Sequence, residues 1–345
     1  MIRRLVPVLL AALALGLGLA ACGGDDEGGG GSEAAEQKLV VYSGRAKALV
    51  GPLFQDFQRR SGIKLEVRYG GSAELAATIA EEGDASPADV FFSQDAGALG
   101  AVGQEGLLAP MPKAVLDRVP ERFRDPEGRW VGASGRARVV AYSKERLEAS
   151  ELPDSIFDFT DKRWKGRIGF PPSNASFQSF ISGMRIAVGD DRTREWLRGI
   201  EDNDPTLLEN NIQTEEAIAR GEIDVGFVNH YYVYELSAEQ PGFPVANHFL
   251  RAGDPGTLVN VAGVGLIEGS ERTGPAREFV DFLLSETGQR YFSEKTFEYP
   301  LTAGVAAPEG LRSLEDVHGP DIALGRLGGK LRSTLEMLSE AGFAA

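Results

Sequence analysis

The sequence predicts a mixed α/β protein of two lobes around a shared cleft, each lobe a mixed, mostly parallel sheet flanked by helices. Three observations carry this. Short apolar strand patterns alternate with helical ones from Lys38 onward. The alternation restarts after Trp130-Val131-Gly132. The 345-residue chain leaves about 300 residues beyond its leading segment, more than one small core organises.

Lys38-Leu39-Val40-Val41-Tyr42 reads as a buried strand and Ser43-Gly44-Arg45 as the turn leaving it. Leu49, Val50, Leu53, Phe54 and Phe57 recur at helical spacing until Ser61-Gly62 ends the helix. Ile63, Leu65 and Val67 alternate with polar residues as a second strand, Ser72 is placed to cap a helix through Glu81, and Ala88 to Phe92 forms a third strand. Strands linked by short helical crossovers lie parallel beneath their helices.

The second series begins with the strand Arg138 to Tyr142 and continues with the strand Arg167 to Phe170. A helix from Phe177 to Val188 follows, then a helix from Glu215 to Arg220 feeding the strand Ile223 to Val228. Leu258 to Ile267, apolar and broken by glycine, suits a strand crossing between lobes, and Glu278 to Phe292 reads as one helix. These elements assign residues 38–135 with 264–345 to the first lobe and 136–263 to the second. Open parallel sheets bind ligands beyond the carboxyl ends of their strands. The loops after Tyr42, Phe92, Phe170 and Val228 therefore face the cleft.

Ahead of the lobes, Arg3 and Arg4 precede an uncharged apolar run, Leu5 to Ala21, as in a secretory signal. Leu19-Ala20-Ala21-Cys22 resembles the lipobox of bacterial lipoproteins, which implies cleavage after residue 21 and a lipid on Cys22. The run is short for the ~30 Å of a bilayer core. An ordinary signal or a membrane helix is the plainer alternative. Residues 22–37 then read as the lipidated cysteine and a flexible, Gly- and Asp-rich tether. The expected location is extracytoplasmic, anchored to the cell membrane.

Composition narrows the chemistry. Cys22 is the one cysteine, so disulfides and thiolate metal sites within the chain are excluded. The formal charge of −15 gives no basic footprint for nucleic acid. His230, His248 and His318 are the only histidines, in no zinc-hydrolase or nucleophile spacing, which leaves a surface hydrolase working through Asp95 poorly supported.

The most unusual local feature is Asn229-His230-Tyr231-Tyr232, directly after a predicted strand. At a strand-to-helix junction two adjacent phenols can converge on one cleft, and phenolates are hard donors suited to ferric iron. Packing of both rings within a lobe explains the same letters. Asp95 fits either a helix cap or a ligand contact. Ser173, Asn174, Ala175 and Ser176 open a helix, where backbone N–H groups form an anion site or an ordinary cap. Arg136 suits an anionic ligand or an interlobe salt bridge, and Gly135 beside it suits a hinge.

Several stretches together resemble the ferric iron-binding proteins of ABC importers, within the type II periplasmic binding protein superfamily. They are Leu39 to Arg45, Ser86 to Phe92, Ser134 to Val140, Trp164 to Gly169, Asn229 to Tyr232, Gly253 to Gly256 and Glu298 to Leu301. The resemblance implies the two-lobed fold with a hinged cleft, Fe3+ as cargo on Tyr231 and Tyr232, and a synergistic phosphate or carbonate. It puts anion contacts on Asn174, Ala175, Ser176, Asn211 and Asn229, with Asp95 and Arg136 beside them. Where some members supply a histidine and a glutamate to the iron, this chain has Ala46 and Gln94. A third tyrosine found in other members has no counterpart, since the stretch offers Ser176 and Phe177. An ABC permease, a monomeric state and the absence of catalysis follow from the same resemblance. Thiamine, a polyamine or another small organic solute is the alternative cargo for the same fold.

Overall fold

The computed structural model describes residues 37–343. The signal, Cys22 and all of the tether but Gln37 lie outside the described residues. The first half runs β1 (Lys38–Ser43), α1 (Lys47–Ser61), β2 (Lys64–Tyr69), α2 (Ser72–Glu82), β3 (Val90–Ser93), α3 (Ala96–Gln104), β4 (Leu108–Ala109) and α4 (Lys113–Leu116). A long strand, β5 (Trp130–Ser143), leads into β6 (Ile168–Phe170), α5 (Ala175–Val188), α6 (Asp190–Glu201), β7 (Thr206–Leu207) and α7 (Asn211–Arg220). Next come β8 (Val225–Asn229), α8 (Tyr231–Glu239), β9 (Val245–His248) and β10 (Val259–Ile267). The chain ends with α9 (Thr273–Leu283), α10 (Glu286–Lys295), β11 (Tyr299–Pro300) and α11 (Leu331–Glu340).

The strands order as β2-β1-β3-β10-β5-β8-β6-β7. At one end β1 lies parallel to both β2 and β3, and at the other β6 lies parallel to β7 and β8. The antiparallel pairs are made by the two strands in the middle. β10 runs against β3 and β5, and β5 runs on against β8. β5 belongs to both halves: its Ala137 faces Val259 of β10 and its next residue, Arg138, faces Asn229 of β8. Gly135 lies within this unbroken strand, where a Cβ would come within 3.2 Å of Tyr299 and Leu301.

Each half has its own aromatic core. In the first, α1 buries Val50, Leu53, Phe54 and Phe57, and Phe57 meets Phe279 of α9 edge-on at 5.2 Å. Gly62, at φ +74°, ends α1 by donating its N–H to Gln58 O, a left-handed conformation that glycine adopts without steric cost. In the second, Phe159, Phe170, Phe177, Phe180, Trp196 and Phe227 form one cluster. Contacts of this kind are worth about 0.5–1.5 kcal/mol per pair beyond area burial.

Three placements differ from the sequence reading. The stretch 278–292 is two helices, because Leu284 leaves helical pairing and the Ser285 hydroxyl caps α10 through Gly288 N at 3.2 Å. Ser72 is the first residue of α2 rather than its cap; its hydroxyl accepts from Gln94 N at 2.9 Å and ties α2 to the loop after β3. The Cβ of any side chain at Gly44 would fall 2.0 Å from that hydroxyl, so this close approach requires glycine. Finally, Met337, Leu338 and Phe343 at the chain end pack in the second core, unlike the first-lobe assignment of 264–345. Among the described residues no helix is long and apolar enough to cross a membrane.

Candidate metal and anion site

β8 ends at Asn229 and α8 starts at Tyr231, so two adjacent phenols stand at a helix N-terminus where the strand emerges. Tyr231 is fully buried, Tyr232 is 9% exposed, and their ring centroids lie 4.1 Å apart. The Tyr231 hydroxyl is buried with no hydrogen-bond acceptor in the protein. Burial, helped by Tyr231 and opposed by Arg45 and Arg136, raises the Tyr232 phenol well above its ordinary range. The Tyr232 phenol is thus neutral until a strong cation displaces its proton.

Three buried arginines surround the pair. Arg45, in the turn after β1, holds Glu298 at 2.7 Å, and Arg136 lies 3.9 Å from the other oxygen of the same carboxylate. The Thr296 hydroxyl donates at 2.8 Å to the same Glu298 oxygen that Arg45 holds. Arg138 differs. Its Nη1 donates to Ser176 Oγ and Asn229 Oδ1, both at 3.3 Å, its Nη2 to Phe227 O, and it lies over the Phe180 ring at 5.3 Å. Among the described residues it has no carboxylate partner. Burial pushes its guanidinium down to about 9, so it stays charged at neutral pH.

Asn174 caps α5, its Oδ1 accepting from Ser176 N at 3.0 Å and from the Ser176 hydroxyl at 2.6 Å. Ala175 is the first residue of that helix, and Ser176 is bonded to Arg138, so this helix start lies beside the buried cation. Asn229 also touches Arg138 and keeps a buried, unpartnered amide nitrogen. Asn211 begins α7, 1% exposed, with both amide atoms unpartnered. Asp95 caps α3 through Ala98 N at 3.1 Å and accepts from Ser179 Oγ of α5 at 2.9 Å, both on Oδ1, so that oxygen is engaged within the protein. Burial raises its carboxyl above the usual range. Arg136 donates to Gln94 O. Ala46 is exposed at the N-cap of α1, and Phe177 stacks on Phe170 at 4.6 Å in the second core. No group of three or more His, Cys, Asp or Glu able to hold a metal occurs among the described residues.

The sequence reading quoted Arg45, Arg138 and Glu298 without assigning them chemistry, and gave His230 no role. Arg138, two residues from Arg136 on one strand, carried the one local signal, since side chains at that spacing share a face. The other two converge only in the fold. His230 is fully buried; its N–H donates to Ala137 O at 3.0 Å while its Nδ1 accepts from Ala137 N at 3.1 Å, and its Nε2–H donates to Phe297 O at 3.0 Å. That ring fastens the start of α8 to β5 and to the segment bearing Glu298.

Two α/β halves joined by shared strands, with a tyrosine and arginine cleft at the carboxyl ends of their parallel strands, define a two-lobed solute-binding protein of the type II periplasmic class. The signature of the family described as bacterial extracellular solute-binding protein matches residues 85–317, and the chain belongs to that family. Over 312 residues it is 31% identical to the Fe(3+)-binding periplasmic protein of Serratia marcescens, spanning 90% of this chain and 91% of that one. Iron-bound HitA from Pseudomonas aeruginosa superposes with a TM-score of 0.84 at 31% identity, over 89% of this chain and 99% of its own. IdiA of Trichodesmium, in complex with iron and citrate, gives 0.77 at 29% identity over the same shares. Each of these relatives is named for the iron it binds, and the chain is a binding protein rather than an enzyme.

Proposed function

We propose that the chain captures ferric iron in its cleft together with an anion and passes it to an ABC permease. The observation that carries this reading is the buried Tyr231–Tyr232 pair, one hydroxyl without a partner, facing three guanidinium groups. With both phenols ionised, two phenolates and Glu298 offset Arg45, Arg136 and Arg138, and Fe3+ then adds three positive charges. An accompanying anion is therefore part of the binding unit. Phosphate or carbonate fits the start of α5, with Arg138, Asn174, Ala175, Ser176 and Asn229 as contacts and Asn211 beside them. Asp95 serves as a helix cap in this arrangement. The names of the relatives, iron-binding in each case and with citrate in one, support the same cargo.

A thiamine or polyamine cargo is disfavoured by charge, since a cationic organic solute would meet three buried arginines without the metal's ability to displace phenol protons. We further propose that β5 and β10 are the hinge strands, that Cys22 carries the membrane anchor, and that the protein acts as a monomer. Titration of metal-free protein with Fe3+ plus phosphate or carbonate tests the central claim. A visible phenolate-to-iron absorption band is expected, and it disappears in Tyr231→Phe/Tyr232→Phe. A wild-type protein that stays colourless overturns the reading.

A further inference from the structure

Between α7 and α8 the interior collects oxygen atoms that no donor among the described residues reaches. Glu215 is 0% exposed, and both of its carboxyl oxygens are buried without a partner. Asn211, 1% exposed, leaves its amide oxygen and nitrogen equally unmet. Glu235, half-buried on α8, adds a buried and unpartnered Oε2. A buried polar group left unpaired costs about 1–3 kcal/mol, and more where it is charged, so a cluster of them is a place where something else binds.

Local structure brings these groups together. Thr214 and Ile218 seat α7 on β8, where a Cβ at Gly226 would meet Thr214 Cγ2 at 2.5 Å and Ile218 Cδ1 at 3.2 Å. Asn211 and Glu215, one turn apart, share the flank of α7 beside that contact. α8 packs along α7, and Glu235, one turn beyond Tyr231, brings its carboxyl within electrostatic reach of Glu215. Burial raises the Glu215 carboxyl well above its ordinary range, and the Glu235 charge raises it further. Glu235 is raised too, by burial first and then by Glu239 and Glu298, with Arg45 opposing. Arg45 gives its own hydrogen bond to Glu298, so Glu215 and the buried oxygen of Glu235 have no cationic partner among the described residues.

We propose that Asn211, Glu215 and Glu235 form a second cation site, distinct from the tyrosine pair, that takes a hard divalent ion of the calcium class. Its donors are all oxygen, which suits calcium or magnesium and disfavours the softer metals that prefer nitrogen or sulfur. Two carboxylates balance the charge of one divalent ion. Calcium accepts carboxylate and amide oxygens in irregular geometry and fills the rest of its shell with water, whereas magnesium demands a near-ideal octahedron. The half-buried Glu235 gives the ion a path from solvent. Asn211 offers its oxygen to this ion and keeps its nitrogen for the cleft, in accord with its place beside the anion contacts. The inference does not rest on the ferric reading.

The test is calorimetric titration and thermal unfolding of the metal-free full chain with calcium chloride and, in parallel, with magnesium chloride. Calcium is expected to raise the melting temperature and to bind with a Kd on the order of 10⁻⁴ to 10⁻³ M, the range of extracellular calcium modules, and magnesium to bind more weakly. Glu215→Gln, which keeps the side chain's size and removes a buried ionisable group, is expected to fold and to weaken calcium binding by at least about tenfold, and Glu235→Gln to do the same. Both variants are expected to keep the phenolate band with Fe3+. The proposal falls if calcium leaves wild type unchanged, or if both variants bind calcium as wild type does. It also falls if either variant loses the phenolate band, which would assign the carboxyls to the iron shell. Calcium binding by a wild-type chain that gives no ferric band upholds this site and removes only the ferric reading.

Discussion

The two walls of the cleft hold their buried arginines differently. On the first, Arg45 and Arg136 converge on Glu298, which Thr296 also holds. On the second, Arg138 has only neutral acceptors: Ser176, Asn229 and the carbonyl of Phe227. A buried cation with a fixed carboxylate is part of what holds the apo fold together. One with neutral partners keeps most of its charge for something that arrives later. The difference teaches that the two walls, though both cationic, respond to mutation along different axes, stability on one and ligand binding on the other.

Glu298→Gln is the largest test of that contrast. It strands two guanidinium groups in the interior, and breaking a buried pair from one side costs about 3–5 kcal/mol. Arg138→Gln removes a charge that has no carboxylate to strand, and its unfolding free energy is expected to change by less than about 1 kcal/mol. Urea unfolding of both variants measures the difference, and equal losses would break the comparison.

The next effect concerns acid. His230 is buried neutral, held down to about 4 by desolvation, with its bonds to Phe297 and Ala137 opposing and Arg136 adding a smaller depression. An unfolded histidine titrates near ~6.5. Between those values the unfolded chain binds a proton that the folded chain does not, so stability falls as pH falls from about 6.5 to about 4, by up to roughly 3 kcal/mol. His230→Asn, which keeps an acceptor for Ala137 N, is expected to flatten this slope in urea midpoints measured across that window. An unchanged slope would place the acid sensitivity elsewhere.

The smallest effect separates capping from ligand contact on the first wall. Asp95→Ala is expected to cost about 1–2 kcal/mol through the lost cap of α3. Asp95→Asn, which still accepts from Ala98 N and Ser179 Oγ, is expected to restore most of that and to leave iron binding near wild type. An Asp95→Asn protein that folds well and fails to bind iron would move Asp95 into the ligand shell.

Much of the fold was legible because its elements are locally encoded. The helix ended by Gly62 and the strands at Lys38, Ile168 and Val225 follow from apolar period and turn residues, and they fall within a few residues of the expected bounds. Where the reading slipped, a side chain was doing tertiary work. Ser72 resembles a cap in sequence, yet its hydroxyl is claimed by Gln94 in the loop after β3. Ser285 caps a second helix inside a stretch that reads as one, with apolar residues at both its ends. The aromatic pair at Tyr231 and Tyr232 was visible as a motif, whereas Arg45 and Glu298, 253 positions apart, are not neighbours in any sequence window.

The sequence by itself determined an α/β chain in two series, a tyrosine pair at a strand-to-helix junction, and a family resemblance that the comparisons uphold. Periodicity, turn chemistry and residue type are local properties, and they survive in one dimension. Only the tertiary structure decided that three arginines surround those phenols, that two of them share Glu298, and that the third faces neutral partners. Charge pairing in a buried cleft depends on distances of a few ångströms between distant segments, and those distances exist only once the crossing strands bring the two halves together.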